Sequence, residues 1–156
     1  MVNPRQPPGL IRVHMGRYEM GKIFRLVTRA VIKDEQGRYL MLKRTIRSDI
    51  FPGYWEFAGG KIDRCETFDQ ALIREVLEET GYTVSLTRVL GVSEWDRKKY
   101  TNVYIIMEVG VESGELKISP EHDDYAWMTT EELADIQVTP PLTDFVKKIV
   151  KENSLY

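Results

Sequence analysis

The sequence predicts a single domain of the α/β class, and three observations lead to this prediction. The chain of 156 residues is 42% hydrophobic and 29% charged, which provides enough apolar material for one core. Two groups of short, β-branched segments flank one long amphipathic helix. A second amphipathic helix follows near the carboxyl end, so we expect an α/β sandwich in which helices cover β-sheet.

The first group of elements is predicted to be a β-hairpin and a third, short strand. The hairpin segments are rich in β-branched and aromatic residues, and a polar turn with Gly37 separates them. A polar loop then joins two strands, and such loops commonly carry substrate contacts. The predicted order is strand 23–32, turn 34–37, strand 38–44, loop 45–54 and strand 55–57.

The long helix is the best-specified element of the sequence. Thr67 and Gln70 form a capping box, which predicts that the helix begins just after Thr67. Gly81 is a favourable residue for the first position beyond its carboxyl end. Its apolar side chains fill about half of the helical wheel and are expected to face a core. They are Phe68, Leu72, Ile73, Val76 and Leu77.

The second group of elements is predicted to be another hairpin, one short strand and two helices. The hairpin turns at the charged residues 96–99. Thr129 and Glu132 form a second capping box, and two adjacent prolines separate the helix that begins there from the last one. The predicted segments are strands 84–95, 100–111 and 125–128, a helix that ends near residue 136, and a helix over residues 142–150.

Residues 1–21 form a separate segment of the sequence. Three prolines within the first eight residues exclude a helix there. Leu10, Ile11 and Val13 are the apolar candidates for a short strand. Two alternatives stay open for this segment, which are a loose tail and an added edge strand or dimer contact.

Charge and cysteine content exclude several classes of protein. A net charge of −2 provides no basic surface for a nucleic-acid polymer and no polybasic patch for a membrane. Cys65 is the single cysteine, which excludes an internal disulfide and fits a reducing compartment. The first ten residues lack the apolar core of a signal peptide, and no apolar run is long enough for a transmembrane helix. We expect a cytoplasmic protein that is a monomer or a homodimer.

Three glutamates crowd one side of the long helix. Glu75, Glu78 and Glu79 are three and four residues apart, which places them within an arc of about 100°. Like charges at this spacing repel one another, and they also face the negative end of the helix dipole. The arrangement is either an ordinary charged surface or a set of ligands for a divalent cation, which would remove the repulsion.

The helix and the turn before it resemble the signature of a known enzyme family. Residues 58–82 read AGGKIDRCETFDQALIREVLEETGY. This stretch is similar to the Nudix box of the Nudix (MutT-like) hydrolases, and it contains every invariant polar or glycine position of that box. These positions are Gly60, Glu66, Arg74, Glu75, Glu78, Glu79 and Gly81. The resemblance covers residues 22–152 and implies a Nudix-type α/β/α sandwich with a mixed β-sheet. Cys65 stands where glycine is frequent, so its φ is expected to be negative or mildly strained.

The resemblance implies hydrolysis of a nucleoside diphosphate linked to a further moiety X. Carboxylates and a backbone carbonyl offer only oxygen ligands, which favours Mg²⁺ first and Mn²⁺ second. Such an ion neutralises a diphosphate and activates water. The leading expectation is a small-molecule nucleoside triphosphate, intact or damaged, that is cleaved to a nucleoside monophosphate and pyrophosphate. The alternatives are ADP-ribose, a dinucleoside polyphosphate, a nucleotide sugar, or a nucleotide that is bound without being cleaved.

The resemblance also implies roles for single residues. The implied metal ligands are the carbonyl of Gly59 and the carboxylates of Glu75, Glu78, Glu79 and Glu121. The implied catalytic residues are Arg74, Glu75, Glu78 and Glu121. The general base is either Glu75 or Glu121, and Glu121 is otherwise a solvated loop charge. Arg74 is expected to orient Glu75, and an ion pair with Glu66 or Glu78 is a compatible alternative.

The sequence specifies the substrate contacts less sharply. Arg44 matches a basic position that contacts phosphate in some members of the family, and a solvated strand end is the alternative. Phe51 and Trp55 are candidates for stacking on a base, and packing in the core is their alternative. Trp95 is expected to lie in the core.

Overall fold

The computed structural model describes residues 23–153, and this part of the chain forms six strands and three α-helices. The predicted segment 1–21 lies outside the described residues. The strands are β1 (Ile23–Ile32), β2 (Tyr39–Arg44), β3 (Trp55–Glu56), β4 (Tyr82–Asp96), β5 (Tyr100–Gly114) and β6 (His122–Met128). The helices are α1 (Phe68–Thr80), α2 (Thr130–Asp135) and α3 (Thr143–Asn153), and Pro140–Leu142 forms a 3-10 turn.

The strands form two three-stranded sheets, in the orders β1-β5-β4 and β3-β2-β6. β1 runs parallel to β5, whereas β4 is antiparallel to β5, so the first sheet is mixed. The second sheet is antiparallel throughout. One core lies between the sheets and α1, and a second core lies between the sheets, α2 and α3. This arrangement confirms the predicted α/β/α sandwich with a mixed β-sheet.

The helices and the second hairpin agree with the prediction. α1 begins after Thr67, and Gly81 caps its carboxyl end with a φ of 76°. The predicted charged turn joins β4 and β5, where the Arg97 amide donates to the Tyr100 carbonyl at 2.9 Å. The capping box of Thr129 starts α2. These elements depend on contacts between residues close in sequence, which explains why sequence patterns locate them. None of the described helices is long and apolar enough to span a membrane.

The predicted hairpin between residues 23–32 and 38–44 is wrong. Its turn does form, since the Gly37 amide donates to the Asp34 carbonyl at 3.0 Å and one bridge joins Lys33 to Tyr39. Beyond that bridge β1 and β2 enter different sheets. The last six residues of β1 are all buried, so this strand is covered on both faces. A hairpin on the protein surface would leave one face of β1 exposed to solvent.

Candidate active site

A cavity of about 370 Å³ opens between the two sheets and the turn that precedes α1. It receives side chains from β1, β2, β4, β5, α1 and the loop 45–54. Six of the residues predicted from the sequence line it, and these are Arg44, Phe51, Gly59, Glu75, Glu79 and Glu121. Three predicted residues, Trp55, Arg74 and Glu78, do not line this cavity.

The turn at Gly59-Gly60 presses against β1 and α1 at one end of the cavity. The amides of Thr28 and Ala30 donate to the carbonyls of Gly60 and Ala58, both at 2.7 Å. Gly59 has a φ of 135°, and a Cβ there would collide with the Thr28 carbonyl. A Cβ on Gly60 would collide with the carboxylate of Glu75. The two glycines therefore allow the Thr28 carbonyl and the Glu75 carboxylate to approach the backbone of the turn closely.

Glu79 projects from α1 into the same corner. The residue is 6% exposed, and its Oε2 accepts a hydrogen bond from the Gly59 amide at 2.8 Å. Burial is the main cause that raises the pKa of Glu79 to about 8, although the charge of Arg29 acts in the opposite direction. The negative charge of a carboxylate buried in this way is poorly stabilised by its surroundings. A cation beside it would stabilise that charge and lower its pKa.

Arg74 forms ion pairs with the other acids of the helix and of the preceding loop. It donates from Nε and Nη2 to Glu66 at 2.8 and 3.0 Å, and from Nη1 to Glu75 at 2.9 Å. Its Nη1 also lies 3.5 Å from Glu78, whose side chain is 59% exposed. Both interpretations of Arg74 therefore describe real contacts, since it pairs with Glu66 and also touches Glu75. Burial raises the pKa of Glu75 despite that contact.

The donor chemistry at this corner fits a hard divalent cation. Among the described residues, no three acidic, histidine or cysteine side chains converge as a finished metal site. The carboxylates of Glu75 and Glu79 nevertheless lie beside Gly60 and Gly59 of the turn, and oxygen is the ligand type that such a cation prefers. The Gly59 carbonyl accepts a hydrogen bond from Arg29 Nη1, so a cation on that oxygen would replace a guanidinium contact. Glu78 reaches the group only if its side chain turns away from solvent.

A second charged cluster, which the sequence analysis missed, lies at the cavity wall. Glu56 is 1% exposed and accepts hydrogen bonds from Arg29 at 3.0 Å and from Arg44 at 2.7 Å. His122 Nε2 lies 3.1 Å from the same carboxylate. Burial acts to raise the pKa of Glu56, but Arg29, the His122 hydrogen bond and Arg44 together lower it to about 2. The signal that could have found them is a charged residue among apolar neighbours, which are Arg29 in the buried second half of β1 and Glu56 in β3.

Aromatic side chains line another part of the cavity. Phe51 has a φ of 50°, and its ring centroid lies 5.8 Å from that of Trp95. The prediction that Trp95 lies in the core is wrong, because β4 places it at the cavity wall opposite Asn102 of β5. Asn102 also lines the cavity, and its Oδ1 has no hydrogen-bond partner among residues 23–153. Trp55, by contrast, packs against the second core.

Glu121 lines the cavity from the loop that precedes β6. The residue is exposed, and its carbonyl accepts a hydrogen bond from the Thr45 amide at 3.0 Å. It therefore joins the start of the loop 45–54 to the start of β6. The position is compatible with both predicted roles, a cavity acid and a solvated loop charge.

Comparisons with known proteins agree with this geometry. The NUDIX domain family model matches residues 23–150. A nucleoside triphosphatase NudI of Klebsiella pneumoniae is 32% identical over 109 residues, which are 63% of this chain and 77% of that protein. A MutT protein from Methanosarcina mazei has a TM-score of 0.75 at 28% identity, over 85% of this chain and 96% of that one. The Escherichia coli ORF135 protein has a TM-score of 0.74 at 25% identity, over 90% and 97%. The chain belongs to the Nudix family and is a Nudix hydrolase.

Proposed function

We propose that this protein is a Mg²⁺-dependent pyrophosphohydrolase whose substrate is a nucleoside triphosphate, released as a nucleoside monophosphate and pyrophosphate. The observation that carries the proposal is that a single cavity combines the oxygen ligands of Gly59, Glu75 and Glu79 with the aromatic rings of Phe51 and Trp95. Oxygen ligands suit a cation that binds phosphates, and aromatic rings suit a nucleobase.

The spacing of these two groups along the sheet supports a nucleotide that lies between them. Trp95 is opposite Asn102, and Asn102 is opposite Arg25 of β1. Arg29 stands four residues farther along β1, which corresponds to about 13 Å of strand. That span is comparable to a nucleoside with its first phosphates. The base would lie near Trp95 and the phosphates near Arg29.

Different side chains of the cavity would bind the metal, bind the phosphates and accept a proton. Glu75, Glu79 and the Gly59 carbonyl would hold Mg²⁺, with Glu78 as a further ligand after rotation, and the ion would supply charge neutralisation and an acidified water. Arg44 would bind a phosphate oxygen through its planar guanidinium. Either Glu75 or Glu121 would accept the proton of the attacking water, and both line the cavity.

The choice of a triphosphate is supported by the relatives named nucleoside triphosphatase. ADP-ribose, dinucleoside polyphosphates and nucleotide sugars contain the same linkage and are the competing substrates. A nucleotide-binding protein without activity is the remaining alternative, and it is disfavoured because every acid of the signature is present. Cys65 is exposed and free, which supports our proposal that the protein acts in the cytoplasm.

The test is a screen for Mg²⁺-dependent phosphate or pyrophosphate release from these four substrate classes. Glu78→Gln and Glu79→Gln should each lower turnover by at least about 100-fold, because they remove a charged metal ligand. Glu152→Gln, an exposed change on α3, is the matched control and should keep full activity. Turnover that is unchanged in both site variants would refute the assignment.

A binding measurement tests the metal site without turnover. Because burial raises the pKa of Glu79 to about 8, we expect this group to carry a proton at pH 7 when no metal is bound. Ligation requires the carboxylate, so Mg²⁺ binding should release about one proton. Calorimetry in two buffers of different ionisation enthalpy measures this number. Glu79→Gln should bind Mg²⁺ more weakly and release fewer protons, and proton release equal to that of the wild type would contradict the site.

A further inference from the structure

The buried carboxylate of Glu56 contacts two arginines that line the cavity. Its Oε2 accepts from Arg29 Nη2 at 3.0 Å, and its Oε1 accepts from Arg44 Nη1 at 2.7 Å. Both arginines line the cavity wall. We propose that Glu56 is a positioning residue, which holds Arg29 and Arg44 together as one site for the phosphates of the substrate. This inference rests on the nucleotide-hydrolysing function proposed above.

The charge of the cluster favours an anion in the cavity. Two guanidinium groups share the single carboxylate of Glu56, which leaves one positive charge in excess. Arg29 is only 8% exposed, so water compensates that charge poorly. Glu75 and Glu79 also lie close enough to act on Arg29. They are the acids proposed to bind the cation, and a bound cation would leave the arginine charge available to phosphate.

Both arginines retain N–H groups for a ligand. Arg29 donates from Nη1 to the Gly59 carbonyl, and its Nε is buried without a partner in the described part of the chain, so only the terminal nitrogens can meet a ligand. Arg44 donates from Nε to the Ile50 carbonyl at 2.8 Å and from Nη2 to Ser48 Oγ at 2.6 Å. Each terminal nitrogen of a guanidinium carries a second hydrogen. Phosphate oxygens can therefore bind without breaking the contacts to Glu56.

Because Arg44 also contacts the loop 45–54, Glu56 fixes an arginine that is bound to this loop. Ser48 and Ile50 belong to this loop, and so does Phe51, whose ring lies at the cavity wall. A free arginine side chain loses rotamer entropy when it is fixed. Glu56 fixes the side chain before the substrate arrives, so binding does not incur that cost.

His122 completes the cluster from the interior of the second sheet. Its side chain is fully buried, and its Nε2 lies 3.1 Å from Glu56 Oε1. Arg44 and His122 are paired residues of β2 and β6, at a β-bulge. Three groups thus hold one carboxylate from three strands, which prevents it from rotating away from the arginines.

The test compares Glu56→Gln with Glu108→Gln. Glu108 is the matched control because its carboxylate also binds two basic side chains, Arg88 at 2.6 Å and Lys33 at 3.3 Å, and it does not line the cavity. For the substrate found in the screen, we expect Glu56→Gln to raise KM about tenfold or more and to change kcat at most about threefold. Glu108→Gln should change neither parameter.

Inorganic pyrophosphate tests the same site without a nucleobase and without turnover. Its dissociation constant, measured by calorimetry with Mg²⁺, should rise about tenfold in Glu56→Gln and stay unchanged in Glu108→Gln. An unchanged constant would overturn the inference even if the protein hydrolyses nucleotides. A protein that hydrolyses none of the screened substrates, yet shows this difference, would refute only the proposed reaction.

A double-variant cycle separates positioning from a general loss of structure. Arg44→Lys keeps the charge but loses the planar contacts, and it should raise KM as Glu56→Gln does. If Glu56 acts through Arg44, the double variant should bind within about twofold of the weaker single variant. Independent, multiplying effects would overturn the inference. If Glu56→Gln does not fold, Glu56→Asp keeps the charge on a shorter side chain, should raise KM in the same direction, and takes its place in the cycle.

Discussion

Two clusters of arginine and glutamate border the cavity of this protein, and they are built in opposite ways. In the first, Arg74 of α1 binds Glu66 and Glu75, which are eight residues and one residue away in the sequence. In the second, Glu56 binds Arg29, 27 residues away, and His122, 66 residues away. The first cluster is a local feature of one helix and its loop, whereas the second requires both sheets.

The two clusters reach a similar electrostatic result for different physical reasons. The pKa of Glu66 is lowered to about 2 mainly by the hydrogen bonds from Arg74, at the protein surface. The pKa of Glu56 is also about 2, but burial opposes this value and its basic partners must overcome it. A pair at the surface can lose a partner to water at little cost. A buried pair that loses a partner leaves a charge without water or a counter-ion, so its loss should cost more stability.

The largest expected difference concerns stability after removal of each arginine. Arg29→Met leaves Glu56 buried with one partner fewer and should lower the free energy of unfolding by about 3–5 kcal/mol. Arg74→Met should lower it by less, about 1 kcal/mol, because its pairs with Glu66 and Glu75 are only partly buried and water can reach them. Urea denaturation at pH 7 measures both values, and equal losses would contradict the distinction between the two clusters.

The second difference appears on acidification. Because the pKa of Glu56 is lowered from 4.5 to about 2, its contribution to stability is complete above pH 4.5 and is lost as the pH falls from 4.5 toward 2. The amount lost should be on the order of 3 kcal/mol. Glu56→Gln should remove most of this pH dependence, whereas Glu66→Gln should remove less because solvent screens its ion pair. Urea denaturation at several pH values tests this, and identical profiles for the two variants would be the contrary result.

The third difference concerns kcat, which we expect to depend on Arg74 of the first cluster. Arg74→Met should lower kcat by about 10–100-fold, because Arg74 holds Glu75 beside Gly60. Arg38→Met is the matched control, since Arg38 pairs with Asp34 at 2.7 Å in a turn outside the cavity. Steady-state kinetics at saturating Mg²⁺ measures the effect. A kcat equal to that of the control would show that Arg74 is only a surface ion pair.

The smallest effect is a gain of stability in the loop of the first cluster. Cys65 has a φ of 64°, so of the two expected conformations, negative or mildly strained, the backbone adopts the strained one. Cys65→Gly should stabilise the protein by about 0.5–1 kcal/mol, because glycine adopts this conformation without a clash of Cβ. Cys65→Ala keeps the Cβ and should give no such gain. Thermal unfolding compares the two variants, and equal melting temperatures would exclude backbone strain as the cause.

Most of the acidic part of the site could be predicted from the sequence. α1 begins after Thr67 and ends before Gly81 as predicted, and these limits depend on capping contacts within a few residues. The burial of Glu79 also follows from its position beside the apolar face of the helix. The helical pattern does not predict that the side chain of Glu78 is 59% exposed, because the spacing of residues does not determine side-chain rotamers.

The sequence alone determined the family, the long helix and the acids that it carries, since each of these depends on residue spacing within one short stretch. Only the tertiary structure decided that β1 leaves its neighbour β2 to pair with β5, and that Trp95 lines the cavity. It also decided that Glu56 forms hydrogen bonds with Arg29, Arg44 and His122. Burial and contacts between distant strands determine these features, and a one-dimensional pattern contains no record of which strands become neighbours.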